Sequence, residues 1–288
     1  MSKALAEPLT VVSYNVENLF HPENDSITDD DEWTEEGERH WSFTRYNRKV
    51  ENIARVLTNI GEWDGVDVVG LQEIENAAVV KKLCYTLRRG EYDFVHYDSP
   101  DPRGIDVALI YKKSRIDTLS SRAIRIQRSE LRTRDILYVS ALLDKRDTLH
   151  FFVCHFPSQR SGAAESAWKR EAAKETLQQA VDSVLAVCPG AHIIVMGDMN
   201  SAPKNDIKGL TNRMDGLKGS HKYQGLWTCL DRFYTSGSVD GKVHIYDAPW
   251  IMETDEKYLG LKPQRTYNGF TYQNGFSDHL PIVLTILF

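Results

Sequence analysis

The stretch His192-Ile-Ile-Val-Met-Gly-Asp-Met-Asn200 decides how the chain is read, because an apolar, β-branched run stops abruptly in polar chemistry. It reads as a buried strand, His192 to Met196, with Asp198 and Asn200 just beyond its carboxyl end. The same arrangement recurs outward from this point. Strands are expected over Leu9 to Val16, Val66 to Leu71, Val107 to Tyr111, Ile136 to Leu143, His150 to Phe156, Leu230 to Tyr234 and Leu280 to Leu287. Two stretches follow the helical period instead: Tyr46, Val50, Ile53, Ala54, Leu57 and Ile60, then Trp168, Leu177, Val181, Val184 and Leu185.

Polar residues stand at both kinds of strand end. Asn15, Glu73, His155 and Asp198 follow their strands, whereas Asp106, Asp231 and His279 precede or open theirs. If the seven meet at one site, some strands run toward that edge and others away from it. The sheets are then mixed or antiparallel, unlike a doubly wound nucleotide fold with its ligand at the ends of parallel strands. Both ends of the chain contribute, so a single domain over 1–288 is expected, an α/β (α+β) sandwich of two sheets with helices packed outside.

The chain has 288 residues, 41% hydrophobic, 26% charged and 10% aromatic, with a formal charge of -6, which excludes disordered and fibrous classes. Its apolar runs fall far short of the roughly 18 residues that span a bilayer, so no transmembrane segment is expected. Met-Ser-Lys-Ala-Leu-Ala-Glu-Pro lacks the apolar stretch of a signal peptide. A cytoplasmic location is the default expectation, with secreted or periplasmic the alternative if a leader has been removed. Cys84, Cys154, Cys188 and Cys229 are far apart and form no Cys-x-x-Cys pair; they read as free, buried thiols. A pI near 5.9 argues against gripping nucleic acid by bulk positive charge but leaves room for local basic residues.

Two segments fit neither period. In 24–39, Asp25, Asp29, Asp30, Asp31, Glu32, Glu35 and Glu36 crowd together; a solvated acidic loop is the first reading, Ca²⁺ binding the second. In 236–274 a loop-rich insertion is expected. The aromatics of these segments, Trp33, Trp41, Tyr246, Trp250, Tyr258, Tyr267 and Phe270, read as loop anchors before they read as stacking platforms.

Taken together, the oxygen donors of Asn, Asp and Glu suit a hard ion such as Mg²⁺, which keeps several waters and shares substrate phosphate oxygens. Neutral histidines nearby suit proton transfer. Zn²⁺ is disfavoured, since no His or Cys pair stands at ligand spacing.

The motifs Ser-Tyr-Asn15-Val-Glu17-Asn, Gly-Leu-Gln-Glu73, Val-Cys-His155-Phe-Pro, Gly-Asp198-Met-Asn200 and Phe-Ser-Asp278-His279-Leu-Pro, in that order, resemble the endonuclease/exonuclease/phosphatase superfamily, most closely its uncharacterised bacterial members. The resemblance runs from Asn15 to His279. It implies a deoxyribonuclease I-like fold, a four-layer α/β/β/α sandwich of two mixed sheets. It also implies a metal held by Glu73 and Asn15, with Glu17 and Asp278 as further ligands; Mg²⁺ is the expected ion and Mn²⁺ or Ca²⁺ are alternatives. Asp198 and Asn200 resemble the pair that orients the attacking water and holds the phosphate. His279 resembles the general base or phosphate-stabilising His, held in its tautomer by Asp231. His155 resembles the His of deoxyribonuclease I and the phosphatases, with Asp106 placed to orient it. Arg134 falls where deoxyribonuclease I has a phosphate-contacting arginine, and Arg103 and Arg160 are similar, weaker candidates; Arg122, Arg125, Arg128 and Arg132 form a local basic run nearby.

The function implied is hydrolysis of a phosphate ester, first as a nuclease or other phosphodiesterase, with nucleic acid as a candidate partner. The alternative is a phosphatase on phosphorylated inositol, lipid or small molecules. A silent binding module is the third reading. A monomer is the default oligomeric expectation.

Overall fold

Alternation along β1 (Leu9–Leu19) explains the layering: Val12, Tyr14 and Val16 face one hydrophobic core, Leu9 and Val11 another. A strand apolar on both faces needs cover on both sides, and the rest of the chain supplies it. The computed structural model describes residues 7–128, 130–159, 162, 164–201 and 206–287.

Sheet A has the order β13 (Gly241–Ile245), β18 (Ile282–Ile286), β1, β2 (Val68–Ile74), β4 (Asp106–Lys112), β3 (Tyr92–His96). Sheet B has the order β5 (Ile116–Ile124), β6 (Ile136–Leu143), β7 (Asp147–His155), β8 (His192–Asp198), β12 (Asp231–Ser236), β9 (Leu210–Asn212). Each sheet has a parallel pair at its centre, β1 with β2 and β7 with β8, and its other pairings are antiparallel. The mixed sheets required by the strand-end argument are therefore present.

Between the sheets lie Leu9, Val11, Val68 and Leu109 against Phe151, Val153, Ile194 and Met196. The layers approach closely at Gly70, where an added Cβ would meet Met196 Sδ at 2.5 Å. Outside sheet A pack α1 (Phe43–Gly61) and α2 (Ala77–Leu87), through Val50, Ile53, Leu57, Val80 and Leu83. Outside sheet B packs α3 (Ala167–Val187), through Ala173, Leu177 and Val181. This is the four-layer order α/β/β/α. Helix starts are locally encoded: the Ser42 hydroxyl accepts from Arg45 N and the Asn76 side chain from Val79 N.

The differences from the sequence reading are local. Helix α2 was not expected, because its 11 residues carry adjacent β-branched Val79 and Val80, which blur the helical signal. Strands β3 and β5 were also unforeseen, since both are edge strands with little burial and no sustained apolar alternation. Segment 236–274 is less loop-like than expected: β13 extends sheet A, and β14 (Met252–Thr254) pairs with β15 (Leu261–Pro263) and β16 (Tyr267–Asn268) with β17 (Thr271–Tyr272). A further hairpin joins β10 (His221–Tyr223) to β11 (Leu226–Thr228). Cys84 and Cys154 are buried, but Cys188 is exposed and Cys229 half-buried, a correction to the expectation of four buried thiols. Cys188 escapes burial because it caps the solvent end of α3.

The acidic segment is mostly solvated, yet Asp30 is buried and accepts the Asp25 amide at 2.9 Å. Trp33 pins the segment down, stacking on Phe20 at 4.9 Å and meeting Trp41 and Tyr267 edge-on. Trp33, Trp41 and Tyr267 are thus anchors, whereas Phe270 is exposed. Among the described residues no helix is long and apolar enough to cross a membrane.

Candidate active site

The two central parallel pairs end at the same place. Asn15 on β1 donates through Nδ2 to Glu73 Oε1 on β2 and to Asp198 Oδ2 on β8, both at 3.3 Å. His155 closes β7 directly opposite Asp198, and its Nε2 lies 3.8 Å from both carboxylates. Two separate sheets therefore place four polar side chains within one contact network. Special backbone supports it: Glu73, Asn200, Glu17 and Asn18 all have positive φ, a conformation that costs a non-glycine residue of order 1 kcal/mol or more. Gly197 is required beside Asp198, since a Cβ there would sit 1.9 Å from the Cys154 carbonyl oxygen.

A second pair completes the cluster. The Asp231 carboxylate, opening β12 beside Asp198, accepts a hydrogen bond from His279 Nδ1 at 2.7 Å. Nδ1 carries the proton to make that bond, so Nε2 is left facing Asp198 at 4.0 Å. Ser220 donates to the same Asp231 oxygen, and the Ser277 hydroxyl ties the segment down by donating to the Asn15 carbonyl and accepting the His279 amide. Burial opposes charging His279, but Asp231, Asp278 and Asp198 outweigh it, so its pKa stands well above the usual imidazole value. Burial and then Asp231 push Asp198 up to about 7. Asn200 braces Asp198, its amide donating to Oδ1 at 2.8 Å while its side chain donates to the Phe156 carbonyl.

The remaining expected residues are placed differently. Glu17 is buried and committed: it accepts the backbone amides of Thr266 and Tyr267, with Lys49 at 3.9 Å and Arg265 at 3.5 Å. Asp278 accepts from Arg265 at 2.9 Å. Built-in cations thus flank both carboxylates, and Asp278 also presents a ligand atom within 4.8 Å of those of His221 and His279. Arg134 is only 4% exposed, and its guanidinium donates to the His155 and Phe156 carbonyls and to Asp101. It fixes the chain leaving β7, with its guanidinium nitrogens already bonded within the protein. Arg103 leans on Asp101 but keeps a side chain 36% exposed; Arg160 lies outside the described residues.

Asp106 corrects the reading most clearly. Along β4, Val107 and Leu109 face the core between the sheets while Ala108 and Ile110 face the helices, which puts Asp106 on the helix side. His155 continues the alternation of Phe151 and Val153 and faces inward. Among the described residues no hydrogen bond or ion pair joins Asp106 to His155; Asp106 accepts the amide and hydroxyl of Ser99 and lies 3.8 Å from His96 Nε2.

Three residues escaped the sequence reading. His221 packs against His279 with ring centroids 4.7 Å apart and planes tilted by 37°, and burial followed by the charge of His279 lowers its pKa to about 4. Arg265 bridges Glu17 and Asp278. Lys49 is fully buried on α1, its ammonium bonded to Thr266 and the Phe276 carbonyl. Its signal was present: it follows Tyr46 by three residues and so lies on the apolar stripe, where an unpaired charge would cost several kcal/mol.

The donor set fits a hard divalent cation. Glu73, Asn15 and Asp198 offer oxygen chemistry in one cluster, Asp198, Asp231 and His279 present ligand atoms within 4.8 Å of one another, and Asp231 Oδ1 is buried without a hydrogen-bond partner among the described residues. Asn15 turns its NH₂ toward the carboxylates because its oxygen accepts the Glu17 amide at 3.1 Å. Rotation of that amide group would exchange a donor for an oxygen ligand.

Comparison with known proteins agrees with this architecture. The sequence model described as the Endonuclease/Exonuclease/phosphatase family matches residues 10–287. No curated protein gives a significant sequence match. Among solved structures, TDP2 from C. elegans has a TM-score of 0.66 at 18% identity, covering 100% of this chain and 78% of that one. The mannosyl-6-phosphatase of Bacteroides thetaiotaomicron gives 0.61 at 16%, covering 97% and 100%. D. rerio TDP2 complexed with single strand DNA product gives 0.57 at 17%, covering 98% and 99%. At such identities the likeness concerns the fold, two mixed sheets flanked by few helices.

Proposed function

Because this chain belongs to the endonuclease/exonuclease/phosphatase family, whose members hydrolyse phosphate esters, we propose that it is a divalent-metal-dependent phosphodiesterase, a nuclease, acting by in-line attack of water. The observation that carries this reading is the convergence of Asn15, Glu73, His155 and Asp198 with the Asp231–His279 pair at the facing ends of two parallel strand pairs.

Glu73, Asn15 and Asp198 would hold the cation, which when bound supplies charge stabilisation for the phosphoryl oxygens and the leaving group. Mg²⁺ suits these oxygens best. The protein's own groups do the rest. Asp198 and His279 position the attacking water, and His279 Nε2, with Nδ1 held by Asp231, takes its proton as the new P–O bond forms. Asp231 holds the His279 tautomer and stabilises its charged form. His155 hydrogen-bonds a phosphoryl oxygen or gives a proton to the departing oxygen as the ester P–O bond breaks. Asn200 and the half-exposed Arg103 bind phosphate oxygens.

The test is hydrolysis of plasmid DNA, bis-(p-nitrophenyl) phosphate and p-nitrophenyl phosphate with Mg²⁺ or Mn²⁺. Diester cleavage that falls at least about 10³-fold in Glu73→Gln, with an unchanged circular dichroism spectrum, is expected. Cleavage of the monoester alone would retire the nuclease reading. It would favour a phosphatase, the reading supported by the shared fold of the mannosyl-6-phosphatase. Silence on all three with metal bound would favour a binding module.

A further inference from the structure

A second group of metal-ligating side chains stands on the opposite face of sheet A. His96 ends β3 and Asp106 opens the adjacent β4. Both follow the alternation of Phe94, Ala108 and Ile110 and so face the helix layer, while Glu73, His155 and Asp198 converge at the inter-sheet side. The His96 side chain is 2% exposed and that of Asp106 5%. His96 Nε2 is buried with no hydrogen-bond partner among the described residues, and the 3.8 Å between it and Asp106 Oδ2 is beyond hydrogen-bond reach. Asp98, 88% exposed, brings a carboxylate oxygen to 3.8 Å from the other ring nitrogen and leaves the group open to solvent. One ligand atom from each of the three residues lies within 4.8 Å of the others.

Asp106 accepts two hydrogen bonds from Ser99 but has no Lys or Arg partner among the described residues; the exposed Asp98 adds negative charge beside it, while Asp101 is already paired with Arg134 and Arg103. A buried carboxylate and a buried, unbonded imidazole nitrogen held a few ångströms apart are costly unless something joins them. Ligands on one transition ion, each about 2.1 Å from it, stand about 3–4 Å apart. Imidazole with two carboxylates selects a borderline first-row ion, whereas Mg²⁺ and Ca²⁺ favour sites made wholly of oxygen.

We propose that His96, Asp98 and Asp106 form a cation site, separate from the active site, that binds Zn²⁺ or a similar first-row divalent ion and clamps the loop between β3 and β4. The proposal does not depend on the enzymatic reading. The test uses chelator-stripped full-length protein and Zn²⁺, with uptake read by equilibrium dialysis and elemental analysis in a Glu73→Gln background that removes the principal active-site carboxylate. The expected results are one equivalent fewer in Glu73→Gln/His96→Gln, and affinity for that equivalent weakened at least about tenfold by Asp98→Asn, whose exposed side chain can be changed without harm to folding. Co²⁺ at the site should also give visible absorption that the His96 variant lacks. Equal uptake with and without His96, or no effect of Asp98→Asn on affinity, would overturn the proposal and leave a water bridging the gap.

Discussion

Two buried aspartate–histidine pairs, made from the same side chains, are built to opposite effect. In the inter-sheet cleft Asp231 and His279 close to 2.7 Å, with Ser220 also donating to the carboxylate. On the helix side of sheet A, Asp106 and His96 stop at 3.8 Å, and Ser99 satisfies the carboxylate instead. The closed pair stabilises imidazolium and fixes a tautomer; the open pair leaves a neutral ring nitrogen and a carboxylate with space between them. Burial alone does not give such a pair its chemistry. Whether the hydrogen bond closes does, and that is set by the strands from which the partners come.

The comparison breaks most readily at the closed pair. Asp231→Asn should lower turnover by about 10³–10⁴-fold in steady-state assays, because an amide can hold the wrong imidazole tautomer. The His279 resonances should then titrate at lower pH by NMR. Substitution at Ser220 sharpens the same point: Ser220→Ala should cost about tenfold in turnover, less than loss of the carboxylate. Asp106→Asn, at the open pair, should change turnover by less than about threefold, since Asp106 faces away from the cleft. A larger loss there would restore it to the catalytic set.

The two pairs should also separate in pH. Burial raises Asp106 from 3.8 to about 7. The stability contributed by its protonated form is fully present below the unfolded value and is lost as pH rises from about 4 through 7. His279 is raised above 6.5, so its contribution is complete below that pH and disappears only as pH rises through its higher folded value. Urea unfolding in EDTA should therefore show Asp106→Asn removing part of the pH dependence between about 4 and 7. Asp231→Asn should instead be most destabilising near pH 6 and less so in alkali. Identical profiles for the two variants would show that the pairs are equivalent after all.

Much of this was legible in sequence. The eight expected strands are all present, and the rule that some site residues follow their strands while others open theirs predicted mixed sheets. It holds because each sheet has a parallel pair at its core with antiparallel neighbours. Asn15, Glu73, His155, Asp198, Asp231 and His279 come together as motif order suggested. Asp106 failed by the parity of a pleated strand: one residue's shift reverses the face. The internal partners of Arg134 and Glu17 were not legible, since a charge named by its position in the chain gives no sign that carbonyls, amides or a buried lysine already engage it.

Eight strands and two helices, the sandwich and the oxygen-rich character of the site were readable along the chain, because hydrophobic period and strand-end polarity are local properties. Beyond the Asp231–His279 pair, the acid–base partnerships emerged only from the packed fold. Arg265 against Asp278 and Glu17, His221 against His279, and His96 across a gap from Asp106 are pairings set by sheet order and strand register. Electrostatic partnership depends on distances of a few ångströms between residues far apart in the chain, and only the packed sheets fix those distances.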